Sequence, residues 1–252
     1  MSNRMNKTIL ITGGGRGIGA ACATLAAEWG YRVCVNYLSD DAAAAAVVGA
    51  IASRGGEAFA VKADISDEEQ VERLFRAVDE RFGRLDALVN NAGVLSQQMR
   101  VEQMSAARIH RIMATNVVGS ILCAREAVRR MSTSHGGIGG GIVNVSSRAG
   151  VLGAAGEYVD YAASKAAMDA LTIGLSKEVA GEGIRVNGVR PGLIETEMHA
   201  SGGEPGRVAR LAASVPMGRG GQALEVAQAV LWLLSDAASY TTGSFIEVSG
   251  GR

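Results

Sequence analysis

The sequence of 252 residues predicts an α/β fold, a doubly wound parallel sheet of about seven strands flanked by helices on both faces. Three observations predict it. Short apolar runs alternate with longer segments whose apolar residues recur at helical spacing, the pattern of strand–helix–strand units. Several of the 34 glycines fall where a strand hands over to a helix, a placement that suits close backbone approach to a ligand better than flexible linkage. No internal repeat or change of composition divides the chain, so residues 1–252 read as one domain able to bury a large core.

Lys7 to Thr12 (KTILIT) reads as a buried strand. It leads into Gly13-Gly14-Gly15-Arg16-Gly17-Ile18-Gly19 and an Ala-rich helix ending near Trp29-Gly30. Strand, glycine turn and helix start form the context in which a dinucleotide binds. Glycine admits the pyrophosphate close to the backbone, and the helix N-terminus offers free N–H groups. Arg32 to Tyr37 is the second strand. An acidic residue at its end would accept from a ribose 2′-hydroxyl and repel a 2′-phosphate. Asn36 and Tyr37 stand there instead, and Arg16 offers a guanidinium nearby, so NADP(H) is favoured with NAD(H) left open. Asp40 and Asp41 read as the start of the next helix, where carboxylates suit the dipole.

Ala58 to Lys62 is the third strand, ending in Ala63-Asp64-Ile65. Ser66-x-x-Glu69 reads as a capping box, and Val71, Leu74, Phe75, Val78 and Phe82 give the following helix a core-facing stripe. Leu85 to Asn90 is the fourth strand, closed by the small-residue turn Asn91-Ala92-Gly93. Val101 to Met131 reads as one long helix or two abutting ones, with Asn116 inside it. Ser132 to Gly141 reads as an exposed loop, Ile142 to Val145 as the fifth strand, and Arg185 to Val189 as the sixth, followed by Pro191-Gly192. Leu193 to Met217 has little regular pattern and reads as a mobile lid. Leu224 to Leu234 is a helix and Ser244 to Val248 the last strand.

Composition excludes several classes. Lys plus Arg and Asp plus Glu number 25 each, and no basic stretch suggests nucleic acid. No apolar run approaches the ~20 residues of a membrane span, and the first residues carry no secretory h-region. Cys22, Cys34 and Cys123 lie singly, without metal-ligand or disulfide spacing, as expected of buried thiols in a reducing cytoplasm. No metal is required.

The reactive pair is Tyr161 and Lys165, one helical turn apart within Ala162 to Leu175 and its preceding residue. A free tyrosine ionises near ~10, and a cation one turn away favours the phenolate. Such a tyrosine can give a proton to a carbonyl oxygen or take one from an alcohol. Taken alone, this spacing is more often an ordinary helix face, so the neighbouring motifs carry the weight. Tyr158 is followed at the same spacing by Ala162 and lacks the cation.

With Thr12-Gly13-x-x-x-Gly17-x-Gly19, Asn90-Asn91-Ala92-Gly93, Ser147, Tyr161-x-x-x-Lys165 and Pro191-Gly192 in order, the whole chain resembles the short-chain dehydrogenase/reductase family, with its Rossmann-type fold. Within it the chain looks most like the 3-oxoacyl-carrier-protein reductases and sugar dehydrogenases. The resemblance implies Tyr161 as acid/base, Lys165 on the nicotinamide ribose, Ser147 on the carbonyl oxygen and Asn116 anchoring a proton-relaying water. It implies cofactor contacts from Gly13, Gly15, Arg16, Gly17, Ile18 and Gly19. Asn36, Tyr37, Asp64, Ile65, Asn91, Ala92 and Gly93 join them, with Pro191, Gly192, Ile194 and Thr196 at the carboxamide end. It implies a homotetramer.

Ser147 stands fourteen residues before Tyr161, one more than is common, so a bulge is expected near Gly156-Glu157, and Ser146 remains an alternative hydroxyl. The polar first half of the lid, including His199, suits a sugar, polyol or small ketone; an acyl-thioester reductase and a non-catalytic dinucleotide sensor are the other readings.

Overall fold

A computed structural model describes residues 7–252. Residues 1–6, where a secretory leader would begin, lie outside the described residues. β1 (Thr8–Ile11) runs into the glycine turn and α1 (Gly17–Glu28). β2 (Arg32–Tyr37), α2 (Asp41–Ser53), β3 (Ala58–Lys62) and α3 (Glu68–Phe82) complete the first half. β4 (Ala87–Asn90), α4 (Ala106–Met113), α5 (Ser120–Met131) and β5 (Gly140–Val145) follow. Next come a short α6 (Ala149–Leu152), the long α7 (Val159–Val179) and β6 (Ile184–Pro191). Residues 193–217, expected to have little regular pattern, instead hold β7 (Ile194–Glu195), α8 (Met198–Ser201) and α9 (Arg207–Leu211). β8 (Gly221–Gln222), α10 (Ala223–Leu234) and β9 (Phe245–Val248) end the chain.

Seven strands pair in parallel in the order β3-β2-β1-β4-β5-β6-β9, and β7 and β8 form a separate small pair. The chain winds outward from β1 to β3, then returns to β4 on the other side of β1. That reversal opens a crevice beyond the strand ends, the place where open parallel sheets bind ligands. Successive strand residues point to opposite faces. Ile9, Ile11, Val33 and Val35 therefore pack with Cys22, Ala26, Val230 and Leu231 of α1 and α10. Leu10, Cys34, Leu88 and Ile142 pack on the other face against Leu74, Phe75, Cys123 and Met131 of α3 and α5.

Three expectations are corrected in detail. The α3 cap is Asp67, whose carboxylate accepts from Gln70 N at 3.2 Å, because the Ser66 hydroxyl donates instead to Asp64 at 2.7 Å. The helix read over 101–131 is broken: a tight turn at Val101–Gln103 precedes α4, and Ala114–Gly119 is a π-helical turn. Widened turns of this kind are frequent at functional sites. The loop read over 132–141 gives its last two residues to β5, and Ser132 is buried with its hydroxyl bonded to Glu182.

Candidate active site

The glycine turn builds the first wall. Gly13 and Gly17 have φ of +62° and +52°, and a Cβ on Gly13 would lie 2.9 Å from Ala92 Cα. The turn is held from below: Asn36 Oδ1 accepts from Gly13 N, and Asn91 Nδ2 donates to the carbonyls of Thr12 and Gly13 at 2.9 and 3.0 Å. The Thr12 hydroxyl accepts from Asn91 N and Ala92 N, both at 3.0 Å, fixing the β4 turn beside it. The start of α1 has no side-chain cap and no acidic residue in its first turn, so its N–H groups are left for an anion. This cradle fits a dinucleotide pyrophosphate.

A cleft of about 850 Å³ runs from the turn along the strand ends. Gly13, Gly15, Arg16, Gly17 and Ile18 line it, as do Asn36, Tyr37, Asp64 and Ile65; Asn91, Ala92, Gly93 and Thr196 face it from the other side. Gly19 does not line this cleft. It lies under the turn, where a Cβ would come within 2.6 Å of Asn91 Nδ2, and its role here is to seat α1 against the loop. Asn36 is buried and hydrogen-bonded to the turn and to Ala63 O. The carboxylates that follow are engaged as helix-start groups: Asp40 accepts from Ala43 N at 2.9 Å, and Asp41 takes the Tyr37 hydroxyl and Lys62. The Asp41 hydrogen bond holds the Tyr37 phenol above its ordinary range.

A second cavity of about 170 Å³ opens where the cleft ends, sharing Ile18, Asn91, Leu95, Thr196 and Met198 with it. Ser147, Tyr161, Lys165, Pro191, Gly192 and Ile194 line this chamber. Ser147 faces Tyr161 with its hydroxyl in hydrogen-bonding position, whereas Ser146 turns to Lys165 O at 3.0 Å. Between Ser147 and Tyr161 the backbone is left-handed at Gly153, Ala154 and Gly156.

The electrostatics differ from the expectation that Lys165 lowers the Tyr161 pKa. Burial dominates and pushes the phenol up to about 12, opposed by the Ser147 hydrogen bond. Burial also brings the Lys165 ammonium down to about 8, opposed by Asp169. Lys165 Nζ donates to Val145 O at 2.8 Å and stands 5.6 Å from the Tyr161 ring centre, too far to offset the burial of the phenol. Asn116 lines neither cavity. Its Oδ1 accepts from Val94 N at 2.7 Å, and its Nδ2 donates to Val94 O and Ser164 Oγ, so the side chain is engaged in fixing the loop after β4. A Cβ on Gly93 would lie 3.4 Å from Asn116 Oδ1 and 3.5 Å from Lys165 Nζ, so these three elements meet at one point.

A family model described as enoyl-(acyl carrier protein) reductase matches residues 13–252. The chain belongs to the short-chain dehydrogenase/reductase family. An oxidoreductase of Escherichia coli (strain K12) is 61% identical over 243 residues, spanning 96% of this chain and 98% of the relative. A 3-oxoacyl-[acyl-carrier-protein] reductase of Staphylococcus aureus (strain N315) is 36% identical over 248 residues, 98% of each chain. Among solved structures, a short chain dehydrogenase from Burkholderia cenocepacia J2315 in complex with NADP superposes with a TM-score of 0.90 at 32% identity, over 99% of both chains. One from Mycobacterium marinum superposes at 0.92 and 35% identity, over 99% of this chain and 96% of the other.

This short-chain dehydrogenase/reductase is therefore an oxidoreductase acting on CH–OH groups, in a family that binds nicotinamide dinucleotides. Sequence reasoning missed the loop 94–99, which walls both cavities. Arg108 and Arg111 of α4 hold it, donating to Gln97 O at 2.5 Å and Ser96 Oγ at 2.6 Å. Their spacing of three residues puts both guanidiniums on one side of α4, the only signal the sequence carries.

Proposed function

We propose that the chain interconverts a small polar carbonyl compound and its secondary alcohol with NADP(H). One observation carries the reading. Tyr161, Ser147 and Lys165 line a chamber that shares a wall, including Ile18, Asn91 and Thr196, with the glycine-turn cleft. When bound, the cofactor supplies or accepts the hydride at the substrate carbon. Tyr161 gives the proton to the substrate oxygen in reduction and takes it in oxidation, while Ser147 stabilises the charge growing there. Lys165 holds the nicotinamide ribose, and the π-helical turn around Asn116 backs it. Gly13, Gly15, Gly17 and Ile18 hold the pyrophosphate, and Asp64 and Ile65 the adenine side.

Arg16 supports the NADP(H) preference. It is exposed, lines the cleft near Tyr37, and has no ion pair among the described residues. The NADP complex of the Burkholderia relative agrees. A fluorescence titration tests it: NADPH should bind at least tenfold tighter than NADH, with most of the difference lost in Arg16→Ala. Equal binding of the two cofactors by the parent protein would overturn the assignment.

The size of the inner chamber, about 170 Å³, and the polar residues Glu195, Glu197 and His199 of the lid segment beside it favour a sugar, polyol or small ketone over a long acyl thioester. The Staphylococcus relative supports the acyl-thioester alternative, and turnover of such thioesters with no activity on polyols would decide for it. Three unpaired, buried cysteines fit a reducing cytoplasm, and a homotetramer is the assembly we propose.

A further inference from the structure

Three residues that line the inner chamber carry buried polar atoms that the hydride-transfer chemistry does not use. Tyr158 is 4% exposed, and its hydroxyl has no hydrogen-bond partner among the described residues. His199 Nδ1 and Arg252 Nη1 are in the same condition, and all three side chains line this one chamber. Buried polar atoms are nearly always paired, so three unpaired ones around one cavity require a reason.

Their chemistry is specific. His199 Nε2 lies 2.9 Å from Ile194 O, and a carbonyl only accepts, so Nε2 carries the hydrogen. Burial holds the imidazole below its usual range and thus neutral. Nδ1 then presents a lone pair and asks for a donor. Arg252 Nη1 is a donor and asks for an acceptor. The Tyr158 hydroxyl does either; its ring is fixed beneath the Arg207 guanidinium, 5.2 Å from the ring centre. A carboxylate would confront the His199 lone pair with another, and an alkyl group would satisfy none of the three. A hydroxyl, which both gives and takes, matches the set.

We propose that Tyr158 and His199 form a hydroxyl-recognition subsite, so that the substrate is a small hydroxyketone, or the corresponding diol, carrying a second hydroxyl on the lid side of the reacting carbon. The inference rests on Tyr161 as the acid/base. Tyr158, dismissed on spacing as a catalytic tyrosine, becomes a specificity residue, and the lid contributes through α8. Loss of a hydrogen bond to a substrate hydroxyl leaves these groups unpaired again, so the deoxy analogue is rejected.

The test compares kcat/KM for hydroxyacetone and 2-butanone, matched in size, with NADPH. The parent enzyme should prefer hydroxyacetone by roughly tenfold or more, and Tyr158→Phe should cut that ratio by roughly fivefold, in the range of one hydrogen bond. His199→Phe should cut it as well, and NADPH titration of each variant reports that the cleft is still formed. A parent enzyme that reduces the two ketones equally, or reduces neither, overturns the proposal; so does a ratio unmoved in Tyr158→Phe. The underlying reading is checked separately with 2,3-butanedione as an activated probe. If Tyr161→Phe still reduces it, the acid/base assignment fails. If that variant is inactive while the Tyr158→Phe ratio is unmoved, only the subsite fails.

Discussion

At the scale of single residues, Lys165 and Tyr161 carry opposite consequences of the same burial. The phenol is held protonated well above neutral pH. Carbonyl reduction, which needs that proton, should stay level from about pH 6 to 8, while alcohol oxidation, which needs the phenolate, should climb with pH over the same span. Initial rates in both directions check this, and an oxidation rate that is flat or falling with pH would count against Tyr161 as base. Lys165 has its folded pKa brought down to about 8 from an ordinary 10.5. Between those values the unfolded chain binds the extra proton, so stability rises with pH through that window; below it the cost of the buried ammonium is complete. Replacing Lys165 by Met should therefore raise the melting temperature at pH 7 and abolish turnover, with the thermal gain shrinking as pH rises towards 10. A gain that grows with pH would show the sign to be wrong.

At the scale of elements, α4 and α7 are joined by a buried ion pair whose geometry also shapes the cleft. Arg108 Nε meets Asp160 Oδ2 at 2.6 Å, with both side chains nearly inaccessible, and Asp160 Oδ1 accepts from Tyr161 N at 2.9 Å. The same guanidinium holds Gln97 O, so one arginine ties the catalytic helix to the loop that walls both cavities. Removing one partner leaves the other buried and uncompensated, a loss of about 3–5 kcal/mol. Arg108→Met should lower the melting temperature by roughly 10 °C for a domain of this size and weaken NADPH binding as the loop loosens. Thermal unfolding with a parallel titration measures both, and a variant with parent stability would remove the pair from this role. This tie was illegible beforehand because it joins residues 52 apart in sequence. What was legible was local: β2 and β3 fall on the residues their apolar runs mark, and every apolar residue of the α3 stripe is buried. The π-helical turn was not, since the Asn116 side chain within it is bonded to Val94, 22 residues away, a partner that only the folded loop supplies. Likewise the glycine motif marked the cleft but could not separate Gly17, which lines it, from Gly19, which supports it.

At the scale of the whole molecule, the two cores account for the inner faces of the helices, and the outer faces pose the remaining problem. Val118 and Ile121 stand 48% and 45% exposed around the start of α5, and Ile173 stands 43% exposed on α7. These helices pack against each other and cover the same face of the sheet. Scattered apolar residues on a surface need no explanation, but several on two adjacent helices suit burial against another copy of the chain. A two-fold interface brings the same patch of each subunit together, so one substitution acts twice. β9 ends the sheet at its other edge and leaves a second surface for a dimer of dimers. The chain should therefore elute as a particle four times its mass of 26.0 kDa. Placing a charge in the helical patch, as in Ile121→Glu together with Val118→Glu, should release smaller species without disturbing either core, because both positions are outside them. Light scattering coupled to size-exclusion chromatography measures the mass directly. A parent protein that runs as a monomer, or a doubly charged variant that remains tetrameric, would place the assembly surface elsewhere or remove it. Since α7 carries Tyr161 and Lys165 on its inner side and Ile173 on its outer side, dissociation should also lower turnover, linking assembly to the geometry of the reacting pair.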